Sequence, residues 1–199
     1  MVKLTEIDLV PEQSFSIEQV KKILAKARPL GIEDGFVIYY FEANDERCVI
    51  FTDQNSSIAA FAGFISRMNG KVWQAKNVET YLPFKGKQLA GKLYKFVKEV
   101  MKKSIQSDKE QSLSGAKLWT RTLPALGLKP MIFDTVTQNV IDPQSGQINI
   151  YSSNPDDIGR YTWILERRDH YNNVGLNENS IIMPFTGIWY TLNTKENNE

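Results

Sequence analysis

The sequence predicts an α/β fold of the α+β type: a mixed, largely antiparallel twisted sheet flanked by helices, with extra strands towards the C-terminus. Three observations predict this class. A helix pattern opens the chain, short strand patterns joined by tight turns follow, and a basic turn then leads into a strongly amphipathic helix. Because tight turns join the early strands, we do not expect a doubly wound parallel sheet.

The first half of the chain carries clear start and stop signals. Ser16-Ile17-Glu18-Gln19 is a capping box that predicts a helix start, and Arg28-Pro29 followed by Gly31 predicts the end of that helix. Gly63 predicts a bulge or a close backbone approach, and Asn69-Gly70 predicts a tight hairpin turn. Four strands are predicted, over residues 36–41, 48–52, 58–65 and 71–82.

The helix after the fourth strand has one apolar and one basic face. Its apolar face, which we expect to pack on the sheet, consists of Leu89, Leu93, Phe96, Val97 and Val100. Its basic face consists of Lys92, Lys95, Lys98 and Lys102. The segment 71–103 has a net charge of +7, although the whole chain has a net charge of only +1. This distribution predicts a positive rim for an anionic ligand, or simply a solvated helix face.

The second half is predicted to continue with short elements. Residues 104–107 are extended, and Ser107-Asp108-Lys109-Glu110 is a second capping box that predicts a helix through Leu123. A hairpin formed by 131–140 and 147–151 is predicted around Asp142-Pro143, because that segment is rich in turn residues. Further extended segments are predicted over residues 160–165 and 181–192, and residues 193–199 form a polar tail.

Composition limits the function classes. The 199 residues predict one domain, 1–199, and one Cys with one His (Cys48 and His170) argues against a metal site. No signal peptide or apolar run of membrane-spanning length is present, so we expect a cytoplasmic protein with no membrane partner. The near-zero net charge argues against a nucleic-acid partner.

The most informative segment is the turn between the fourth strand and its helix, Leu82 to Ala90. The first N–H groups of a helix have no partner inside the helix and attract anions. Lys85 and Lys87 add positive charge there, and Gly86 lets the backbone approach a ligand closely. The turn therefore predicts a phosphate site.

The chain resembles the GCN5-related N-acetyltransferase superfamily, in which an Arg/Gln-x-x-Gly-x-Gly/Ala turn binds the pyrophosphate of acetyl-coenzyme A. The matching turn here is Lys85-Gly86-Lys87-Gln88-Leu89-Ala90, with Lys and Gln at two positions where the family has Arg/Gln and Gly. Ala62-Gly63-Phe64-Ile65 matches a family strand. Ser107-Asp108, Ser112 and Leu118-Trp119 resemble acetyltransferase-like proteins of tailed bacteriophages. The resemblance covers residues 1–135, which leaves 136–192 as an additional β-rich part.

The resemblance implies roles for individual residues. Leu82 and the turn Lys85, Gly86, Lys87, Gln88, Leu89 and Ala90 would bind acetyl-CoA. Glu79 is the candidate base, and Tyr81 and Tyr94 are candidate acids. Strand alternation places Tyr81 on the face of Glu79, whereas Tyr94 borders the apolar face of the helix and is expected to pack in the core. Ser107 and Asp108 would line the cleft, and they join Glu79 and Tyr81 as the predicted catalytic residues. Regular alternation also places Trp73 and Ala75 on the face of Glu79.

Two functions fit these observations. The first is an acetyl-CoA-dependent N-acyltransferase with an unidentified amine acceptor, working in the host cytoplasm if a phage encodes it. The second is a non-catalytic phage protein of the same fold: a virion component or a host-interaction or inhibitor protein, with a protein partner or as a homodimer. Family members often carry the acid tyrosine in the helix that follows the strand after the basic helix, and the corresponding predicted helix has no tyrosine here. This lack and Gln88 favour the second function, whereas the lysine-rich rim favours the first.

Overall fold

A computed structural model describes residues 15–109, 111–145, 148, 150–151 and 159–166. Within these ranges the helices are α1 (Ile17–Leu24), α2 (Leu89–Glu99), α3 (Leu113–Lys117) and α4 (Leu123–Ala125), and a π-helical turn, Leu118–Thr122, joins α3 to α4. The strands are β1 (Arg28–Glu33), β2 (Phe36–Ala43), β3 (Glu46–Thr52), β4 (Ile58–Arg67), β5 (Val72–Thr80), β6 (Ser104–Gln106), β7 (Met131–Asp134), β8 (Val140–Ile141) and β9 (Tyr161–Leu165).

One sheet holds all nine of these strands, in the order β1-β2-β3-β4-β5-β6-β9-β7-β8. Neighbouring strands are antiparallel except for β5 and β6, which are parallel and are connected through α2. The predicted α+β class with a largely antiparallel sheet is therefore confirmed. The strand–turn–helix–parallel strand order that the resemblance implies is also present in β5, α2 and β6.

Side chains pack on both faces of the sheet. The larger apolar cluster joins α2 and the π-helical turn to the sheet through residues such as Phe64, Trp73, Leu93 and Trp119. A smaller cluster on the other face packs α1 against the strands through residues such as Val20 and Phe61. Burying each large apolar side chain contributes about 1.5–3 kcal/mol, so the sheet is held from both sides. Val100, predicted to pack on the sheet, lies at the end of α2 and is 58% exposed.

The start of α1 is as predicted and its end is not. Ser16 Oγ accepts a hydrogen bond from Gln19 N at 3.2 Å, and Gln19 Oε1 accepts one from Ser16 N at 2.9 Å, so the capping box is complete. The residues predicted to end the helix, from Arg28 to Gly31, instead form strand β1. Proline is tolerated there because β1 is an edge strand with a bulge between Pro29 and Gly31.

A β-bulge in β5 confirms the prediction made from Gly63. Gly63 pairs with Asn77 and Phe64 pairs with Ala75, so Lys76 is the extra residue that the bulge inserts into β5. The bulge interrupts the alternation of the strand. Trp73 and Ala75 therefore share the larger core with Val78, and the prediction that they lie on the face of Glu79 was wrong.

Two predictions for the second half were wrong. Helix α3 begins after Ser112, whose Oγ accepts a hydrogen bond from Gly115 N at 3.2 Å, and not at Ser107. The hairpin lies between β7 and β8, with its turn at residues 135–139, because Asp134 accepts hydrogen bonds from the amides of Val136 and Thr137. The predicted segments 181–192 and 193–199 and His170 lie outside the described residues.

Strand β9 forms as predicted, and it lies inside the sheet. It lies between β6 and β7, with Ile105 paired to Leu165 and Ile132 paired to Trp163. The late residues 161–165 thus bind directly to the strand that follows α2. The sheet has no boundary at residue 135, where the resemblance ends.

Candidate functional site: the cleft between β5 and β6

A cleft opens where β5 and β6 separate. Their parallel pairing covers only Val72–Gln74 against Ser104–Gln106, and the bulge at Lys76 follows directly. From Ala75 to Thr80, β5 continues without β6 beside it. The cleft has a volume of about 460 Å³ and is bounded by β5, by the turn before α2, by α2 and by α3 with its π-helical extension. A volume of this size is typical of small-molecule sites.

One end of the cleft is the turn that precedes α2. Lys85 and Gly86 line the cleft, and Ala90 on the first turn of the helix lines it as well. Gly86 has φ +85°, and a Cβ built on it would meet no atom of the described residues within 4 Å. The backbone here can therefore be approached closely by a ligand.

Gln88 is the N-cap residue of α2 and adopts a left-handed conformation, with φ 57° and ψ 25°. Within the described residues, its side chain makes no capping hydrogen bond to the helix. It is exposed and is not among the residues that line the cleft, so it does not fill the turn. The first amides of α2 and the positive end of its dipole are thus left for an anion.

The other residues predicted to bind the cofactor lie outside the cleft lining. Leu82 is 76% exposed and borders a separate depression beside α1. Lys87 extends over the Phe84 ring, with Nζ 5.3 Å from its centroid. The side chain of Leu89 is buried in the larger core, so Leu89 can offer only its backbone amide to the turn.

Two predicted catalytic side chains have structural roles instead. Tyr81 is buried in the smaller core, and its hydroxyl donates a hydrogen bond to Phe15 O at 2.8 Å. Ser107 is buried, and its Oγ accepts hydrogen bonds from Trp163 N at 3.0 Å and from Gln111 Nε2 at 3.1 Å. Both predictions were wrong about position, because neither residue lines the cleft.

Glu79 and Asp108, the other two predicted catalytic residues, do line the cleft. Glu79 pairs with Phe61, whose ring belongs to the smaller core, so its side chain lies on the face of the sheet opposite α2. Asp108 Oδ2 forms a hydrogen-bonded salt bridge with Lys76 Nζ at 2.7 Å. Asp108 Oδ1 accepts a longer hydrogen bond from Gln74 Nε2 at 3.3 Å. The Asp108 carboxylate is therefore already bound to β5.

Tyr94 is a cleft residue that sequence reasoning assigned to the core. Its ring is 1% exposed and packs against Phe64 and Trp119, with centroids 5.8 Å and 5.4 Å away. Burial, and secondarily the negative charge of Asp108, raise the pKa of its hydroxyl. No hydrogen bond to this hydroxyl occurs among the described residues. The packing position was visible in the sequence, but the opening of the cleft beside it was not.

Among the residues that the structure describes, no three His, Cys, Asp or Glu side chains cluster in a way that could hold a metal ion. In the same part of the chain, no helix is long and apolar enough to cross a bilayer.

Comparison with known proteins gives limited information. The chain matches no protein-family model and no curated protein sequence. Among solved structures, it is similar to the crystal structure of nourseothricin acetyltransferase, at 9% sequence identity and a TM-score of 0.35, over 69% of this chain and 80% of that one. A likeness at this level assigns neither fold nor function, so both depend on the strand order and the cleft described above.

Proposed function

We propose that this chain is an acetyl-CoA-dependent N-acyltransferase that acts on an amine. One observation carries the proposal: the cleft between β5 and β6 ends at the turn of Lys85 and Gly86, where the first amides of α2 are uncapped. A thioester on a long, phosphate-bearing arm fits such a cleft. Its phosphates would bind at the turn, and its arm would lie along the strand.

Donor binding uses the backbone more than side chains. From Ala75 to Thr80, the edge of β5 that faces the cleft is not paired with β6, so its amides and carbonyls can bind the amide groups of the pantetheine arm. At the turn, the amides of Leu89 and Ala90 and the charge of Lys85 bind the pyrophosphate. The open side of Gly86 leaves room for the phosphate oxygens.

Acyl transfer needs a base for the amine and an acid for the thiolate. Glu79 lies on the face opposite α2, so an amine can enter from that face while the donor occupies the face of α2. Glu79 takes the proton from the amine as the new C–N bond forms. The C–S bond then breaks, and the leaving sulfur takes the proton of the Tyr94 hydroxyl, which lines the cleft. Because burial raises the pKa of this hydroxyl, the phenolate takes a proton back from water after each turnover.

Thermal unfolding with acetyl-CoA tests the proposal without knowledge of the acceptor. A hundredfold excess of ligand over Kd stabilises by about 2.7 kcal/mol, which raises the Tm by roughly 5–10 °C for a domain of this size. Lys85→Glu is expected to abolish the rise. Lys26→Glu is the matched control, because it makes the same charge change at an exposed lysine outside the cleft and should leave the rise intact.

A non-catalytic protein of the same fold is the second candidate. It is favoured by Gln88, which stands in a left-handed position where the resemblance implies glycine. In this case millimolar acetyl-CoA should leave the Tm unchanged. A rise that survives Lys85→Glu would instead mean that the phosphates bind elsewhere.

A further inference from the structure

The bulge in β5 places a lysine at the point where the cleft begins. The β4–β5 register shifts at Lys76, and the last residue of β5 that pairs with β6 is Gln74, two positions earlier. The Lys76 side chain crosses from β5 to Asp108, which lies two residues beyond the end of β6, and the salt bridge measures 2.7 Å. The two diverging strands are therefore joined just beyond their last backbone pair.

Asp108 is held by the bulge residue itself and by a residue of β5 that precedes the bulge. Asp108 Oδ2 binds Lys76 and Asp108 Oδ1 accepts the hydrogen bond from Gln74 Nε2. Asp108 Oδ1 also accepts a hydrogen bond from Lys109 N at 2.8 Å, which fixes the direction of the carboxylate. The Lys76 side chain is only 13% exposed and that of Asp108 27% exposed, so this pair is better shielded than an ordinary surface ion pair.

We propose that the Lys76–Asp108 pair sets the separation of β5 and β6 and so positions the thioester arm of the donor. The inference rests on the proposed function. Lys76 on β5 and Asp108 beyond β6 both line the cleft, whereas the phosphate turn is formed by Lys85 and Gly86. Lys76 and Asp108 are thus positioning residues, and Asp108 is not the catalytic carboxylate that its sequence context suggested.

The two parts of the donor can be tested separately. 3′-Phosphoadenosine 5′-diphosphate contains the nucleotide and the pyrophosphate of coenzyme A without the pantetheine arm, so its binding depends on the phosphate turn and not on strand separation. We expect Lys76→Met to weaken acetyl-CoA binding at least tenfold in calorimetric titration, while binding of 3′-phosphoadenosine 5′-diphosphate stays within twofold of wild type. Lys76→Arg keeps the charge and should retain most of the acetyl-CoA affinity.

Several controls make the test decisive. Asp108→Asn removes the charge while retaining a side chain of the same shape, and it should reproduce the effect if Lys76→Met fails to fold. Lys26→Met is the matched control for loss of an exposed lysine. Equal weakening of both ligands together with a lower Tm would show a merely structural role, and unchanged acetyl-CoA binding would show that the pair does not set the cleft. Either result overturns the inference.

The failure of the proposed function has a different signature. If the wild-type protein binds neither ligand, the acyltransferase proposal falls and this inference falls with it. If the wild type binds both ligands and Lys76→Met binds acetyl-CoA as tightly as the control Lys26→Met does, only the inference about the Lys76–Asp108 pair fails.

Discussion

Replacing Gln88 by glycine is expected to stabilise the protein. Gln88 holds φ 57° and ψ 25° at the N-cap of α2. The left-handed conformation costs a residue with a Cβ about 1–2 kcal/mol, and the greater freedom of glycine in the unfolded chain offsets about 0.5–1 kcal/mol of this. Because the Gln88 side chain makes no capping hydrogen bond in the described structure, little else is lost. The net gain is about 0.5–1 kcal/mol, or roughly 1–4 °C in Tm.

Urea unfolding of two companion variants separates the backbone effect from the side-chain effect. Gln88→Ala removes the side chain but keeps the Cβ, so its stability should stay near that of wild type. Gly86→Ala introduces a Cβ at φ +85° in open space, so it should lose about 1–2 kcal/mol from backbone strain alone. If Gln88→Gly proves no more stable than Gln88→Ala, the strain argument is refuted. Acetyl-CoA binding by Gln88→Gly should be undiminished, because glycine is what the family resemblance implies there.

Two further predictions concern packing and acid stability. A Cβ on Gly91 would lie 2.5 Å from Leu126 Cδ1 and 2.9 Å from Thr122 Cγ2. Overpacking costs about 1–3 kcal/mol and the better helix propensity of alanine offsets about 1 kcal/mol of it, so Gly91→Ala should cost up to about 2 kcal/mol in urea unfolding. Leu126→Ala in the same chain should lower this cost, and an equal cost with and without Leu126→Ala would contradict the clash. Burial opposes ionisation of Asp134, but hydrogen bonds from Arg160 and two backbone amides outweigh it and lower its pKa from 3.8 to about 2. This carboxylate therefore contributes roughly 2 kcal/mol above pH 4 that is lost as the pH falls towards 2. Arg160→Met should raise the midpoint of acid unfolding, whereas Lys129→Met, which removes an exposed ion pair, should not.

Local signals in the sequence predicted those features whose bonds are local. The capping box at Ser16 holds because both of its hydrogen bonds are made within four residues. The same pattern at Ser107 failed because its hydroxyl is taken by Trp163, a residue 56 positions away that the pattern cannot include. A capping motif is therefore informative only where no distant strand competes for the same hydroxyl.

Strand β1 was missed for a related reason. Pro29 and Gly31 break central strands, but β1 lies at the edge of the sheet, where one side of the strand needs no partner. Edge position is a property of the whole sheet and cannot be read from six residues.

The candidate site was predicted in part. The strand–turn–helix arrangement at Lys85 and Gly86 was predicted because strand, glycine and helix are contiguous there. The positions of Tyr81 and Tyr94 were not predicted, because the packing of α1 on one face and the opening of the cleft on the other depend on contacts between distant parts of the chain. The bulge at Lys76 was signalled only by Gly63 on the neighbouring strand, and its consequence for alternation was not predicted.

The position of β9 affects the order in which a growing polypeptide can acquire its binding site. Ser107 N donates to Trp163 O at 2.8 Å, and Trp163 N donates back to Ser107 Oγ, so the outer flank of β6 is completed by a segment synthesised more than fifty residues later. On the ribosome, the segment just before Asp108 therefore stays without this partner until β9 emerges. Ligand added during translation is thus expected to bind only chains that already extend past residue 165, and shorter nascent chains would expose an unpaired strand to chaperones.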